Sequence, residues 1–178
     1  MQTEEEIISQ TKEWIERVVI GLNFCPFAAK PVKENLVRYK VEENTTINTA
    51  LQTLIRECIR LEEEVSIETS FIIFPNHFND FETYLDLVDL AEQLMEKEGY
   101  EGVFQVASFH PLYMFADSEE SDPANYTNRS PYPMLHLLRE EKLEAALKKY
   151  PNPEAIPERN IITARKLGLE YFKTKKIE

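Results

Sequence analysis

Three side chains in this chain are imidazoles, His77, His110 and His136, and imidazole is the group that exchanges protons near neutral pH. Two of them bracket one stretch, Phe109-His110-Pro111 to Tyr132-Pro133, with His136 just beyond it. The same stretch holds Asn125-Tyr126-Thr127-Asn128-Arg129-Ser130, and Arg139 follows His136 by three residues. Such a set points to a small-molecule site. His110 or His136 would act as general acid or base, or as a ligand contact. Arg129 and Asn128 would hold a carboxylate, phosphate or carbonyl, because a planar guanidinium matches those groups. Arg139, Tyr126 and His77 complete the ligand-binding candidates. A histidine at a strand end can equally donate to a backbone carbonyl and only hold a loop. Cys25, in the turn Asn23-Phe24-Cys25-Pro26-Phe27, is the third catalytic candidate. No histidine is near it in sequence to make the thiolate that nucleophilic cysteines require, and free cysteine usually packs as a small hydrophobe. Cys58 sits on an apolar helix face.

Several chemistries are set aside by pattern. Four glycines in all leave no phosphate-cradling loop and no nucleotide fingerprint. A serine nucleophile elbow is also missing. The three histidines with Asp80, Asp117 or Asp122 form an alternative, metal-binding reading, but their spacings match no compact ligand motif, so no metal ligand is assigned. No cofactor is indicated. Ser130-Pro131 reads as an N-cap with proline in the first turn, which predicts a helix from there to about Tyr150 with His136, Arg139 and Glu140 on one polar face. An anion at that helix N-terminus would depend on side chains, since Pro131 and Pro133 lack N–H groups.

Composition narrows the partners. A net charge of −12 repels phosphate backbones and anionic lipid, so nucleic acid and membrane surfaces are not expected. A local basic pocket for a small anionic metabolite is compatible with that charge. The first six residues, Met1-Gln2-Thr3-Glu4-Glu5-Glu6, are acidic where a secretory signal would be basic. Apolar runs stay shorter than a membrane span, and two cysteines make no disulfide framework, so a cytoplasmic protein is expected. The length, 178 residues with 43% hydrophobic content, suits one globular domain, residues 1–178.

The elements that must position these residues alternate. Thr3 and Glu6 form a capping-box signature, opening a helix that runs to about Leu22 on Ile7, Ile8, Trp14, Ile15, Val18 and Val19; Trp14 is expected in the core. Leu36–Val41 alternates as a half-buried strand, with Arg38 and Lys40 on the solvent side. Ile47, Ala50, Leu51, Leu54, Ile55, Cys58 and Ile59 make a clean amphipathic helix that ends in a solvated Glu62-Glu63-Glu64. Ser66–Phe74 reads as a strand buried on both faces. Phe81–Met95 is the next helix, stopped by Gly99, and Val103–Phe109 the third strand. Strand, helix, strand, helix, strand predicts an α/β domain with a short, mainly parallel three- to four-stranded sheet and about five helices. In parallel strands His77 and His110 would leave at the same sheet edge, where ligands of open α/β sheets bind. Between His110 and Ser130 neither period is visible; a connection that long is functional or disordered, and Asp117–Asp122 is the part expected to be loose. A last helix runs from about Glu158 to Phe172, with Lys173-Thr174-Lys175-Lys176 as its solubilising end.

These strings also carry a resemblance. Gly21-Leu22-Asn23-Phe24-Cys25-Pro26-Phe27-Ala28, Gly102–Pro111, Asn125-Tyr126-Thr127-Asn128-Arg129-Ser130-Pro131-Tyr132-Pro133 with His136 and Arg139, and Pro157-Glu158-Arg159-Asn160 resemble the bacterial family catalogued as domain of unknown function 1415, over nearly the whole chain. The resemblance implies a small, single-domain cytoplasmic protein and no particular activity. Its motifs fall on Cys25, His110, Asn128, Arg129, His136 and Arg139. The competing functional reading is a protein-interaction module that packs its aromatic, proline-rich loop, about residues 110–133, on a partner.

Overall fold

The computed structural model describes residues 2–174. Helix α1 (Glu4–Trp14) opens on a reciprocal cap: Thr3 Oγ1 accepts from the Glu6 N–H at 3.2 Å, and the Glu6 carboxylate accepts from the Thr3 N–H at 2.7 Å. It runs into a π-helical turn, Ile15–Ile20, a widened geometry that is frequent at functional sites. Gly21 closes this turn, and a Cβ there would lie 2.4 Å from the Arg17 carbonyl oxygen. A short helix α2 (Ala29–Lys33) leads to strand β1 (Val37–Val41), helix α3 (Ile47–Glu63), strand β2 (Thr69–Ile73), helix α4 (Phe81–Lys97) and strand β3 (Phe104–Phe109). After the long connection and a 3-10 turn, Pro123–Thr127, come strand β4 (Met134–Arg139) and helices α5 (Glu140–Leu147), α6 (Ile156–Leu167) and α7 (Leu169–Thr174). Gly168, at φ +81°, separates the last two where one continuous helix is expected from sequence.

The sheet order is β1-β2-β4-β3. β1 and β2 are parallel, while β4 is antiparallel to both its neighbours. The sheet is therefore mixed, not mainly parallel, and the described residues form seven α-helices where about five are expected. The cause is β4 itself, since residues 134–139 form a strand and not a helix. Leu135 and Leu137 face the α3/α4 side, Met134 and His136 the α1 side. A strand buried on both faces has no polar alternation to separate it from a helix, and Pro133 is tolerated because it precedes the ladder.

Helices α3 and α4 cover one face with Leu54, Cys58, Leu61, Leu87 and Ala91 packed on Ile72, Leu135 and Leu137. Helix α1 covers the other, with Ile7, Trp14 and Ile15 on Val41, Phe71, Ile73 and Met134. Arg38, expected on a solvated face, instead donates through Nε to the buried Glu57 of α3 at 2.8 Å. Ser70 Oγ adds a 2.6 Å bond to the same carboxylate, so this charge is paired and hydrogen-bonded, the condition under which burial is tolerated. Strands β2 and β3 run in the same sense on either side of β4, and His77 and His110 leave the sheet at the same edge.

Candidate functional site

The loop after β3 is ordered by side-chain to backbone bonds rather than by secondary structure. Buried Asn125 is its hub. Its Oδ1 accepts from the Phe115 N–H at 3.1 Å and from Ser118 Oγ at 2.7 Å, while its Nδ2 donates to the Glu119 carbonyl at 2.9 Å. Asp122 receives the Ala124 N–H and pairs with Arg165 of α6 at 2.7 Å. The acidic segment expected to be loose is thereby held at its C-terminal end.

Two of the three histidines, His110 and His136, are committed to neighbours. His110 is fully buried; its Nε2–H donates to the Phe78 carbonyl at 2.8 Å and its Nδ1 accepts from the Leu112 N–H at 3.0 Å. Burial holds its pKa below the usual imidazole value, opposed in part by the Phe78 bond and by Asp80. Both ring nitrogens are therefore occupied by backbone, and the ring clamps the loop after β2, where Phe78 sits at φ +59°, to the loop after β3. His136 lies on β4, stacked on Phe71 with ring centroids 3.8 Å apart. Its Nε2 meets Thr69 Oγ1 at 2.5 Å, and that hydroxyl donates to the Leu137 carbonyl; the imidazole is thus the donor and neutral. Burial pushes its pKa down to about 3. His77 is half-buried in the loop after β2, with its ring centroid 6.5 Å from that of Phe78. Among the described residues, no three of His, Cys, Asp and Glu come together as a metal site.

Arg139 faces the other side of the sheet from His136. Its guanidinium donates to the carbonyls of Leu61, Glu64 and Ile67 and lies over the Phe104 ring. The Leu61 and Glu64 carbonyls lie at the C-terminal end of α3, the negative end of the helix dipole, where a cation belongs, and the Ile67 carbonyl follows in the connection to β2. The guanidinium offsets the acidic run Glu62-Glu63-Glu64. The three glutamates are exposed as expected, and beneath them Arg139 holds the backbone at the α3 exit.

Cys25 and Asn128 share a second, smaller and mostly apolar cavity of about 270 Å³, walled by Phe24, Phe109, Phe115 and Ile161 among others. Burial raises the thiol pKa, against the lowering effect of hydrogen bonds from the backbone at Phe27 and Ala28, so the thiol stays protonated at neutral pH. The turn that carries it is tethered by the closing motif: Arg159 donates to the Asn23 carbonyl at 2.7 Å and Asn160 to the Phe24 carbonyl at 2.6 Å. Asn128 Nδ2 reaches the Ser108 carbonyl at 3.4 Å.

The larger cavity, about 520 Å³, is built by four elements. The π-helical region contributes Trp14, Arg17, Val18 and Leu22, the loop after β3 Pro111 and Leu112, the entry to β4 Tyr126, Arg129, Ser130 and Pro131, and α7 Tyr171, Phe172 and Lys173. Trp14 Nε1 donates to the Arg129 carbonyl at 2.9 Å, fixing one wall to another. Arg129 is itself oriented: Nε donates to the Tyr113 carbonyl and Nη2 to the Glu120 carbonyl, both at 3.0 Å. The guanidinium sits 4.7 Å over the Tyr126 ring, whose other neighbour is Phe172, stacked at 4.6 Å. Nη1 has no partner among the described residues. Among the described residues, the lining holds Arg17, Arg129 and Lys173 and no carboxylate.

The structure thus brings Arg129 and Tyr126 together in one cavity and Cys25 and Asn128 in another. His110, His136 and Arg139 are each bonded elsewhere. Trp14, expected only in the core, both packs and lines the cavity, and Lys173, expected as a solubilising end, faces it. Arg17, Tyr171 and Phe172 carried no motif signal; only helical phase relative to Trp14 and the tail's aromatic pair could have suggested them. Lys175 and Lys176 lie outside the described residues.

A mixed α/β sheet between helical layers, with an arginine-centred aromatic cavity at its side, defines the class. The family model described as protein of unknown function (DUF1415) matches residues 6–174, and the chain belongs to that family. No curated protein and no solved structure is significantly similar to it.

Proposed function

We propose that the protein binds a small anionic molecule in the larger cavity, with Arg129 as the principal contact. The observation that carries this reading is the charge of the lining. Among the described residues, three cationic side chains and no carboxylate line one cavity in a chain with 32 acidic residues and a net charge of −12. A volume of about 520 Å³ is in the range of small-ligand sites. Arg129 is held by two carbonyls and an aromatic face, so little side-chain entropy is left to lose on binding. The cavity lining contains no histidine, carboxylate or thiol, which favours binding over acid–base catalysis there. The interaction-module reading asks for Tyr126 and Tyr132 on an exposed patch. Tyr132 is instead buried, with its hydroxyl donating to Gln2, and Tyr126 lies in the cavity. A cytoplasmic setting belongs to the same reading; it is supported by two free cysteines and by the absence of any described helix long and apolar enough to cross a membrane.

The test is thermal unfolding with a panel of carboxylates and phosphates. A ligand at a hundredfold excess over its dissociation constant adds about 2.7 kcal/mol, a readily measured rise in Tm. That rise should vanish in Arg129→Ala and persist in Cys25→Ala. A rise that survives Arg129→Ala would place the anion elsewhere.

A further inference from the structure

The same cavity distinguishes among anions. We infer that its ligand is an organic carboxylic acid with an apolar body, and not a phosphorylated or polycarboxylic metabolite; this rests on the binding reading above.

Three observations carry it. First, only one cation is fixed. Arg129, which lines the cavity, has Nε and Nη2 bonded to carbonyls, and its Nη1 is left without a partner among the described residues. Arg17 and Lys173 are exposed and paired with acids of their own helices, Glu13 and Glu170. Exposed pairs of this kind are weak and mobile, so these two residues supply attraction and not geometry. One fixed guanidinium matches one carboxylate.

Second, the wall nearest Arg129 is poor in the donors that a phosphate dianion needs. Pro131 and Pro133 carry no N–H, the segment after them is a strand and not the start of a helix, and the Ser130 hydroxyl is spent on the Tyr132 carbonyl at 2.6 Å. Moving a doubly charged group out of water without several compensating donors is unfavourable.

Third, the rest of the lining is apolar. Trp14, Val18, Leu22, Pro111, Leu112 and Phe172 offer surface that rewards buried hydrocarbon. Both faces of Tyr126 are already covered, by Arg129 and by Phe172, so ring stacking on it is not the source of recognition. The body is selected by hydrophobicity and volume.

The experiment uses Trp14, the only tryptophan, which lines the cavity and reports occupancy by fluorescence. Octanoate and phenylbutyrate are titrated against the full chain beside octanamide, malate, citrate and glucose phosphate. The expected result is saturable change with the two apolar acids. Octanamide should bind more weakly by about tenfold or more, the loss of one charge-assisted hydrogen bond. Malate, citrate and glucose phosphate should give none. Arg129→Lys should weaken octanoate strongly, and Arg17→Gln only slightly; the amide comparison stands even where the Arg129 variant folds poorly. Binding of malate, citrate or glucose phosphate in place of the apolar acids would leave the anion reading intact and overturn this inference. Octanamide equal to octanoate would overturn both, as would no response to any probe.

Discussion

The two histidines with resolved shifts have the same sign. Their folded pKa lies below the unfolded value of about 6.5, so the unfolded chain binds more protons as pH falls. Stability from this source is complete above the unfolded pKa and is lost downward from there; for His136 the loss continues to about pH 3. The slope is about 1.4 kcal/mol per pH unit for one such group. Asp80 and Asp122, whose pKa values are lowered by bonds from Thr83 and Arg165, add their own loss only below the usual carboxylate value. Between pH 7 and pH 5 the imidazoles therefore act alone. Urea unfolding should show a fall of about 2 kcal/mol from His136 over that window. His136→Phe, which keeps the stack on Phe71, should remove that share, and an unchanged pH profile in the variant would refute the assignment. Residue identities near these sites were legible in the sequence; what they touch was not. The Phe78 carbonyl and the Leu112 N–H that engage His110 are backbone groups of two different loops, and no spacing pattern encodes such partners.

At the scale of elements, Arg139 joins the end of one helix to the end of a strand. Arg139→Lys keeps the charge but not the planar fork, so several of the α3 carbonyls lose their donor. A destabilisation of about 1–3 kcal/mol is expected, with faster amide exchange confined to the last turn of α3 and to Ile67. Uniformly faster exchange would mean that the effect of Arg139 is not local. Capping and periodicity made α1, α3, α4 and the first three strands readable: Thr3 caps α1 as expected, and the apolar spacing of α3 and α4 matches helices capped by Thr46 and Asp80. They misled at β4. Ser130-Pro131 imitates a helix start, and Met134, Leu135 and Leu138 satisfy a helical period as well as a strand's. The choice is made by tertiary packing, because only a strand there pairs both Ile73 and Phe109. The π-helical turn was likewise invisible: Gly21 reads as a helix stop, yet it relieves a clash with the Arg17 carbonyl.

At the scale of the whole molecule, the acidic exterior and the cationic cavity set up opposing fields. An incoming anion meets a chain of net charge −12 and, at the cavity, the cations Arg17, Arg129 and Lys173. Salt largely screens interactions between exposed charges that are more than about 10 Å apart at 0.1 M and more than about 3 Å apart at 1 M. Raising salt should therefore weaken ligand binding only modestly, roughly two- to tenfold, because Arg129 is partly buried and contributes at short range. Titration by Trp14 fluorescence across that range gives the slope; a far steeper dependence would mean that the exposed Arg17 and Lys173 dominate.

The insertion of β4 between β2 and β3 also orders events in time. While the chain is being synthesised, β2 and β3 emerge with facing edges that have nothing to pair with until residues 134–139 follow. Met134 must then find Ile73 and Phe109 together, a double closure over long sequence separations, which is the kind of step that slows folding. A nascent chain halted before Met134 thus presents two open strand edges, the species most prone to pair with another copy, and the last strand to arrive is the one that seals the sheet.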